Sequence, residues 1–238
     1  TLVSVQEWNN LLMELPQTIA IDGPAGSGKS TLGALLAKEL GYLYFDTGVM
    51  YRAVTLAAIN QGVDISNEEV IGKLANTVRI DVRPPSIQDG REYDVLLDGE
   101  DVTWNIRLDI VNAHVSEVSA YRAVRDAMTT QQRRIAQENA VVMVGRDIGT
   151  VVMPDADLKI FLDASIEVRA LRRYLELCER GEEADIETVL SSLRHRDHID
   201  SNREIAPLKA AEDAVIIQSD FMGIDEVLKK AMELVKNV

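Results

Sequence analysis

The chain has 238 residues, 46% of them hydrophobic, a net charge of −14 and a single cysteine, Cys178. That is enough chain for one sizeable soluble domain with small insertions, and the excess of Asp and Glu argues against broad binding to nucleic acid or to an anionic membrane surface. No apolar run approaches the length of a membrane span, no secretory signal is visible, and one thiol excludes an intrachain disulfide, so a cytoplasmic setting is expected, with Cys178 a buried or half-buried structural thiol.

Residues 1–16 carry Val5, Trp8, Leu11, Leu12 and Leu15 at amphipathic-helix spacing, ended by Pro16. Thr18–Asp22 then reads as a short apolar strand. It runs into Gly23-Pro24-Ala25-Gly26-Ser27-Gly28-Lys29-Ser30, which fits G-x-x-x-x-G-K-[ST], and Thr31–Leu40 follows as a helical pattern closed by Gly41. A second strand, Tyr42–Phe45, ends in Asp46-Thr47-Gly48, and a helix spans about Val49–Gln61. Ser66-Asn67-Glu68-Glu69 has the form of a capping box opening a helix to about Asn76. The period then changes from helical to alternating. Val78, Ile80 and Val82 alternate with charged residues, as do Tyr93, Val95 and Leu97, with turn signals at Pro84-Pro85, Gln88-Asp89-Gly90 and Asp98-Gly99. The stretch 78–103 therefore reads as an antiparallel meander inserted in an α/β chain.

Helices are expected at about 109–120 and 123–139. Val141–Val144 is a continuous apolar strand of the kind buried on both faces, emptying into Gly145-Arg146-Asp147-Ile148-Gly149-Thr150. Leu158–Leu162 is another and ends at Asp163. Ser165 opens a helix to about Arg180, Gly181 interrupts it, and Asp185 opens one to about Ile199. Val215–Ile217 is the last strand and 225–236 the last helix. Five parallel-type strands separated by helices predict an open, doubly wound α/β sheet whose ligands bind beyond the carboxyl ends of the strands. The Gly23–Ser30 loop, Asp46-Thr47-Gly48 and Gly145-Arg146-Asp147 should then face one crevice.

The chemistry follows from the residue types. Glycines let the backbone of 23–30 curl so that its N–H groups point at a polyphosphate, and the following helix N-terminus adds partial positive charge there. Lys29 can reach the β- and γ-phosphates, and the Ser30 hydroxyl can ligate Mg²⁺. Seventeen of the 25 basic residues are Arg, seven of them between Arg169 and Arg203, and Arg presents a planar fork suited to phosphate oxygens. About half of those seven are expected to pair instead with the interleaved Glu and Asp. His114, His195 and His198 make no metal spacing with Cys178 and read as ordinary residues. Candidates for a second, acceptor site are Thr47, Tyr51 and Arg52 after the second strand, Arg146 and Asp147 after the strand at 141–144, and Arg196, Asp200 and Arg203, which share one face of a helix. Phosphoryl transfer needs positioning, metal and cationic charge around the moving group, and arginines converging on a phosphate loop meet that need.

With these segments in view the chain resembles the bacterial cytidylate kinases. The resemblance rests on Ile21–Thr31, on Asp46-Thr47-Gly48-Val49-Met50-Tyr51-Arg52 and Gly145–Val152, and on Phe161–Ser165, Arg196-Asp197 through Asp200 to Arg203, Pro207-Leu208 and Asp213-Ala214, in the family's order from residue 18 to about 230. It implies a P-loop kinase domain over 17–238, transfer of the ATP γ-phosphoryl group to CMP or dCMP, a nucleoside-monophosphate-binding insertion at about 64–124, and a lid at about 169–190. It implies that Gly23, Pro24, Ala25, Gly26, Ser27, Gly28, Lys29, Ser30 and Thr31 bind ATP, with Ser30 on Mg²⁺. Thr47, Arg52, Arg146 and Arg203 would hold the acceptor phosphate, Arg196 and Asp200 the ribose, and Ser116, Arg125 and Asp147 the cytosine edge. Lys29, Arg146 and Arg203 would be the catalytic cations. The partners implied are small molecules, and a monomer is expected. Val49 stands where the family usually has Ala, Ile199 and Ser201 replace more polar residues, and Gln218 stands where an acidic residue is common. None of these removes a proposed ligand.

Two rival readings remain open at this point. One is a kinase for another nucleoside monophosphate or metabolite, which a substrate panel separates. The other is a nucleotide-dependent switch or binding module. It is disfavoured because no Asn-Lys-x-Asp guanine reader is present and Lys29 and the arginines are retained.

Overall fold

The structure, a computed structural model, describes residues 15–238, so the helix expected over 1–16 lies outside the described residues except for its last two. In chain order the elements are β1 (Thr18–Asp22), α1 (Lys29–Leu40), β2 (Leu43–Asp46), α2 (Gly48–Asn60) and α3 (Glu68–Thr77). Next come β3 (Ile80–Arg83), β4 (Asp94–Leu97), β5 (Glu100–Asp101), α4 (Asp109–Val118), α5 (Arg122–Glu138) and β6 (Val141–Gly145). The chain ends with β7 (Leu158–Asp163), α6 (Ile166–Glu179), α7 (Ile186–Asn202), β8 (Val215–Gln218) and α8 (Ile224–Val235).

The main sheet is parallel, in the order β2-β6-β1-β7-β8. Its central strands are apolar on both faces because helices cover both: Ile19, Ala20, Ile21 and Val141 to Val144 are all fully buried. Register then fixes the functional edge. Asp22 at the end of β1 lies opposite Gly145 of β6 and Phe161 of β7, and Asp46 of β2 lies opposite Val144. The segments following β1, β2 and β6 therefore leave the sheet at one height.

The predicted elements are present, with differences at their ends. Helix α1 starts at Lys29, inside the loop motif, because the chain is already helical once it has passed Gly28. Gly41 closes it in the left-handed conformation (φ 70°), as the sequence suggested. The cap of α3 is Asn67, not Ser66: the Asn67 side chain accepts from Val70 N at 3.2 Å, while Ser66 Oγ donates to Asp64 Oδ1 at 2.8 Å. A one-turn π-helix at Ile148–Val152, after β6, had no signal in the periodicity.

The inserted meander forms a separate three-stranded antiparallel sheet, β3-β4-β5. One guanidinium ties it together. Arg91 is bonded to Asp89, Asp94 and Asp101 at 2.8, 2.9 and 2.6 Å, and Trp104 Nε1 donates to Asp89 Oδ2. Ile80, Val82 and Val95 bury into the same core as the main sheet, so the insertion is anchored to it. The α6–α7 hairpin differs. Ala170, Val189 and Leu193 make a small cluster of their own with Ala25 of the loop. That hairpin has no further layer to pack on at its far end, which is why Cys178 is exposed there, contrary to the expectation of a buried thiol.

Candidate active site

The Gly23–Ser30 loop leaves β1 and turns into α1. A Cβ at Gly23 would sit 2.2 Å from the Leu162 carbonyl oxygen, so only glycine lets the loop pass β7 this closely. Inside the loop the Ser27 hydroxyl is buried with no hydrogen-bond partner among the described residues. Lys29 is 6% exposed and its Nζ donates to Pro24 O at 3.0 Å. Burial, and then the neighbouring Arg146 guanidinium, push the Lys29 ammonium well below the usual lysine range. An ammonium with one carbonyl partner and a cation beside it favours an incoming anion. Ser30 Oγ donates to Asp46 Oδ2 at 3.1 Å, which puts a hydroxyl and a carboxylate oxygen together at the start of α1, the oxygen chemistry Mg²⁺ prefers. Curled glycines, an unpartnered hydroxyl, a nearly free ammonium and an oxygen pair fit a magnesium–nucleotide complex.

A second cluster lies beside it, beyond β6. Thr47 donates from its hydroxyl and its backbone N–H to Val144 O, at 3.1 and 3.0 Å, which holds the start of α2 against β6. Asp147 is 7% exposed. Its Oδ2 accepts from Arg125 Nη2 at 2.7 Å, and its Oδ1 lies 3.6 Å from Arg203 Nη2. Arg125 also donates to Ser119 O at 3.2 Å and stacks over the Tyr51 ring, 5.5 Å to the centroid. Arg146 Nε donates to Asp200 Oδ2 at 2.9 Å, and Arg203 Nη1 is 3.8 Å from Asp200 Oδ1. Arg203 Nη2 is buried without a hydrogen-bond partner among the described residues. Burial, with Arg125 nearby, lowers the Arg203 pKa. Three arginines and two aspartates, from α5, the segment after β6 and the end of α7, thus meet with donor capacity left over.

Comparison with known proteins decides the family. The family model for cytidylate kinase matches residues 19–237. The chain belongs to the cytidylate kinase family. It is 50% identical over 223 residues to the cytidylate kinase of Herpetosiphon aurantiacus, covering 94% of this chain and 96% of that protein. It is 52% identical over 208 residues to that of Chloroflexus aggregans, covering 87% and 89%. To that of Shouchella clausii it is 46% identical over 218 residues, covering 92% and 95%. Among solved structures, an uncharacterized protein from Eubacterium ventriosum superposes with a TM-score of 0.52 at 11% identity, covering 92% of this chain and 98% of that one, which supports the fold alone.

The residues that the cytidylate kinase resemblance singled out are not equally placed. Lys29, Thr47, Arg125, Arg146, Asp147, Asp200 and Arg203 converge. Arg196, on the same helix as Asp200 and one turn earlier, is exposed by area, yet it lies close enough to Lys29, Arg146 and Asp200 for their charges to act on one another, so it borders the same cluster. Arg52 donates to Ile106 O at 3.2 Å and to Asn112, so the insertion holds it. Ser116 is exposed on α4, and its carbonyl accepts from Ser119 Oγ. Of the seven late arginines, Arg173 and Arg180 pair with Glu176, as expected of a solvated helix face. Arg169 and Arg172 do something the sequence did not suggest. Arg169 donates to Ala25 O at 3.0 Å and Arg172 to Ser27 O at 3.3 Å, so both buttress the phosphate loop from behind. Asp46 beside Ser30 and Asp22 at the end of β1 were also not singled out as site residues. Their position at strand ends was the available signal.

Proposed function

We propose that this chain transfers the γ-phosphoryl group of ATP to CMP or dCMP, giving ADP and CDP or dCDP. The observation that carries the proposal is the juxtaposition of a phosphate loop, with its buried Lys29, and the Arg125–Asp147–Arg203 cluster, held at one height by the pairing of β1 with β6. Residues Gly23 to Thr31 wrap the ATP phosphates, and Lys29 stabilises the charge that shifts during transfer. Ser30, with Asp46, would hold Mg²⁺, whose chemistry when bound would be to neutralise phosphate charge.

On the acceptor side Thr47, Arg52, Arg146 and Arg203 hold the CMP phosphate, and Arg196 and Asp200 the ribose. Asp147 accepts from the cytosine amino group, while Arg125 and Ser116 donate to its ring-nitrogen and carbonyl acceptors. Uracil presents a carbonyl where cytosine has the amino group, which would leave two acceptors facing each other at a cost of about 1–3 kcal/mol. Ser116 must approach from its exposed place on α4. We infer that residues 78–103 and the stretch about 169–190 move over the bound pair, excluding water that would otherwise hydrolyse ATP. The chain acts as a monomer on small molecules. Among the described residues no helix is long and apolar enough to cross a membrane.

The test is ADP release from MgATP with CMP, dCMP, UMP, AMP or GMP, with and without Mg²⁺. CMP and dCMP should stimulate release, and only with the metal. Stimulation by another monophosphate while both cytidine nucleotides fail would overturn the proposal.

A further inference from the structure

Asp22 takes no part in the roles above, yet it is 4% exposed and lies at the centre of the site. It ends β1 and immediately precedes Gly23, so its backbone belongs to the phosphate loop. Its side chain reaches sideways to the segment after β6. Oδ1 accepts from Ile148 N and Oδ2 from Gly149 N, both at 2.8 Å. A Cβ at Gly149 would lie 3.4 Å from Asp22 Oδ2, an ordinary contact, and 3.2 Å from the Lys159 stem, so the carboxylate and the lysine stem pack directly against this residue. The two captured amides open the one-turn π-helix that directly follows Arg146 and Asp147. Where Ile148 and Gly149 sit decides where Asp147 meets Arg125 and Arg203, and where Arg146 meets Asp200.

We propose that Asp22 is a positioning residue: its carboxylate grips two successive amides and so sets the Arg146–Asp147 segment in register with the phosphate loop. Both oxygens are needed, since one acceptor would leave the segment free to pivot about a single bond. The proposal rests on the reading of Asp147 as the residue that selects cytosine.

The grip is sensitive to protonation. Burial raises the Asp22 carboxyl to about 6, against the two amide bonds that lower it; Asp147 raises it further and Lys29 opposes. Of the other charged side chains nearby, Lys159 packs its stem on Gly149 and sends its ammonium away, to Asp213 at 2.6 Å. A protonated carboxyl keeps one good acceptor and turns an O–H toward the other amide, so one of the two bonds is lost on the acid side.

The experiment compares the full chain with its Asp22→Asn and Asp147→Asn variants. The Asn side chain matches Asp in shape but offers one acceptor, and its NH₂ would confront an amide N–H. The first readout is kcat/KM for CMP divided by that for UMP, between about pH 5.5 and 8. The two substrates carry the same phosphate, so its titration cancels in the ratio. In the natural chain the ratio should fall as pH drops through about 6. In Asp22→Asn it should be lower by about tenfold and flat with pH, as expected for a misplaced but intact contact group. The second readout is amide hydrogen exchange at 146–150 without ligand, which should quicken in Asp22→Asn. A folded Asp22→Asn protein with unchanged exchange at 146–150, or a natural chain whose ratio stays flat over the pH range in which the Asp22 carboxyl itself titrates by carbon-13, overturns the proposal. If Asp22→Asn fails to fold, the ratio of the natural chain, together with the carbon-13 titration of its Asp22 carboxyl, decides the matter. If Asp147→Asn leaves the ratio alone while Asp22→Asn quickens exchange, the base-selection reading fails and the positioning role stands.

Discussion

Arg169 offers a sharp test of how the loop is held. It is 5% exposed, and four of its guanidinium's five N–H donors are engaged: Nε donates to Ala164 O at 2.9 Å, Nη1 to Ala25 O at 3.0 Å, and both Nη atoms to Asp197 at 3.1 and 2.7 Å. The forked pair joins α6 to α7, and the Ala25 bond joins both to the phosphate loop. Arg169→Met keeps the stem and deletes the charge. It leaves two buried carbonyls and the Asp197 carboxylate without their donor. Removing one partner of a buried pair costs about 3–5 kcal/mol. Because the Asp197 side chain is 23% exposed and water can reach it, the lower figure applies. At about 2–4 °C per kcal/mol for a domain of this size, the melting temperature should fall by about 6–12 °C. Asp197→Leu alone should be costly too, because it strands the buried cation. The double variant Arg169→Met/Asp197→Leu should be more stable than the sum of the two losses predicts, by about 2 kcal/mol, with KM for ATP raised wherever Arg169 is absent. Thermal melts and initial rates on the four proteins measure this. Losses that add to within about 0.5 kcal/mol would show that the pair is not a unit and that the reasoning is wrong.

Three further outcomes are expected. Lys29→Ala should lower kcat by on the order of 10²-fold with a smaller change in KM, because the ammonium acts on charge that shifts in the transition state; single-turnover rates near those of the natural chain would count against it. Asp147→Asn should lower kcat/KM for CMP and narrow its gap to UMP, whereas Arg52→Ala should weaken both alike; the ratio of the two specificity constants in each variant checks the assignment. Asp22 should make stability depend on pH in an unusual sense. Its carboxyl holds its proton to about 6 in the folded state against 3.8 unfolded, so the native state is favoured below 3.8 and loses that advantage as pH rises to about 6. The loss totals about 3 kcal/mol and is flat above that range. Denaturant melts of both proteins across pH 3.5–8 should show this slope in the difference between the natural chain and Asp22→Asn, because carboxyls held low in the fold, such as Asp81 and Asp185, act in the opposite sense in both.

Much of this molecule could be read from local signals. Continuous apolar runs marked Thr18–Asp22 and Val141–Val144 as buried parallel strands, and the alternation around Val95 marked the inserted sheet. These are one-dimensional patterns that burial imposes directly on composition. What stayed illegible depends on tertiary approach. Asp22 looks like a strand-end carboxylate until β6 lies beside it. Arg169 and Arg172 are indistinguishable by sequence from Arg173 and Arg180, which only meet Glu176; what separates them is which face of α6 turns to the loop. The exposure of Cys178 follows from a hairpin that leaves the main layers, and helical periodicity carries no information about what stands opposite. The cap shifted from Ser66 to Asn67 because a neighbouring carboxylate, Asp64, claimed the serine hydroxyl.

The strand order has a consequence for how the protein is made. β1 and β2 are separated by β6, so these two strands, although consecutive along the described chain, have no hydrogen-bonded contact with each other. The central strand gains its neighbours only when 141–145 and 158–163 have been synthesised, more than a hundred residues later. Closing such distant pairs is slow, because the chain entropy is lost before the contacts form. Until then the nucleotide loop has no platform, and ATP cannot rescue a nascent chain by binding it. Stalled chains ending before β6 should stay protease-sensitive whatever the ATP concentration, and ligand-dependent protection should set in only after β7 has emerged.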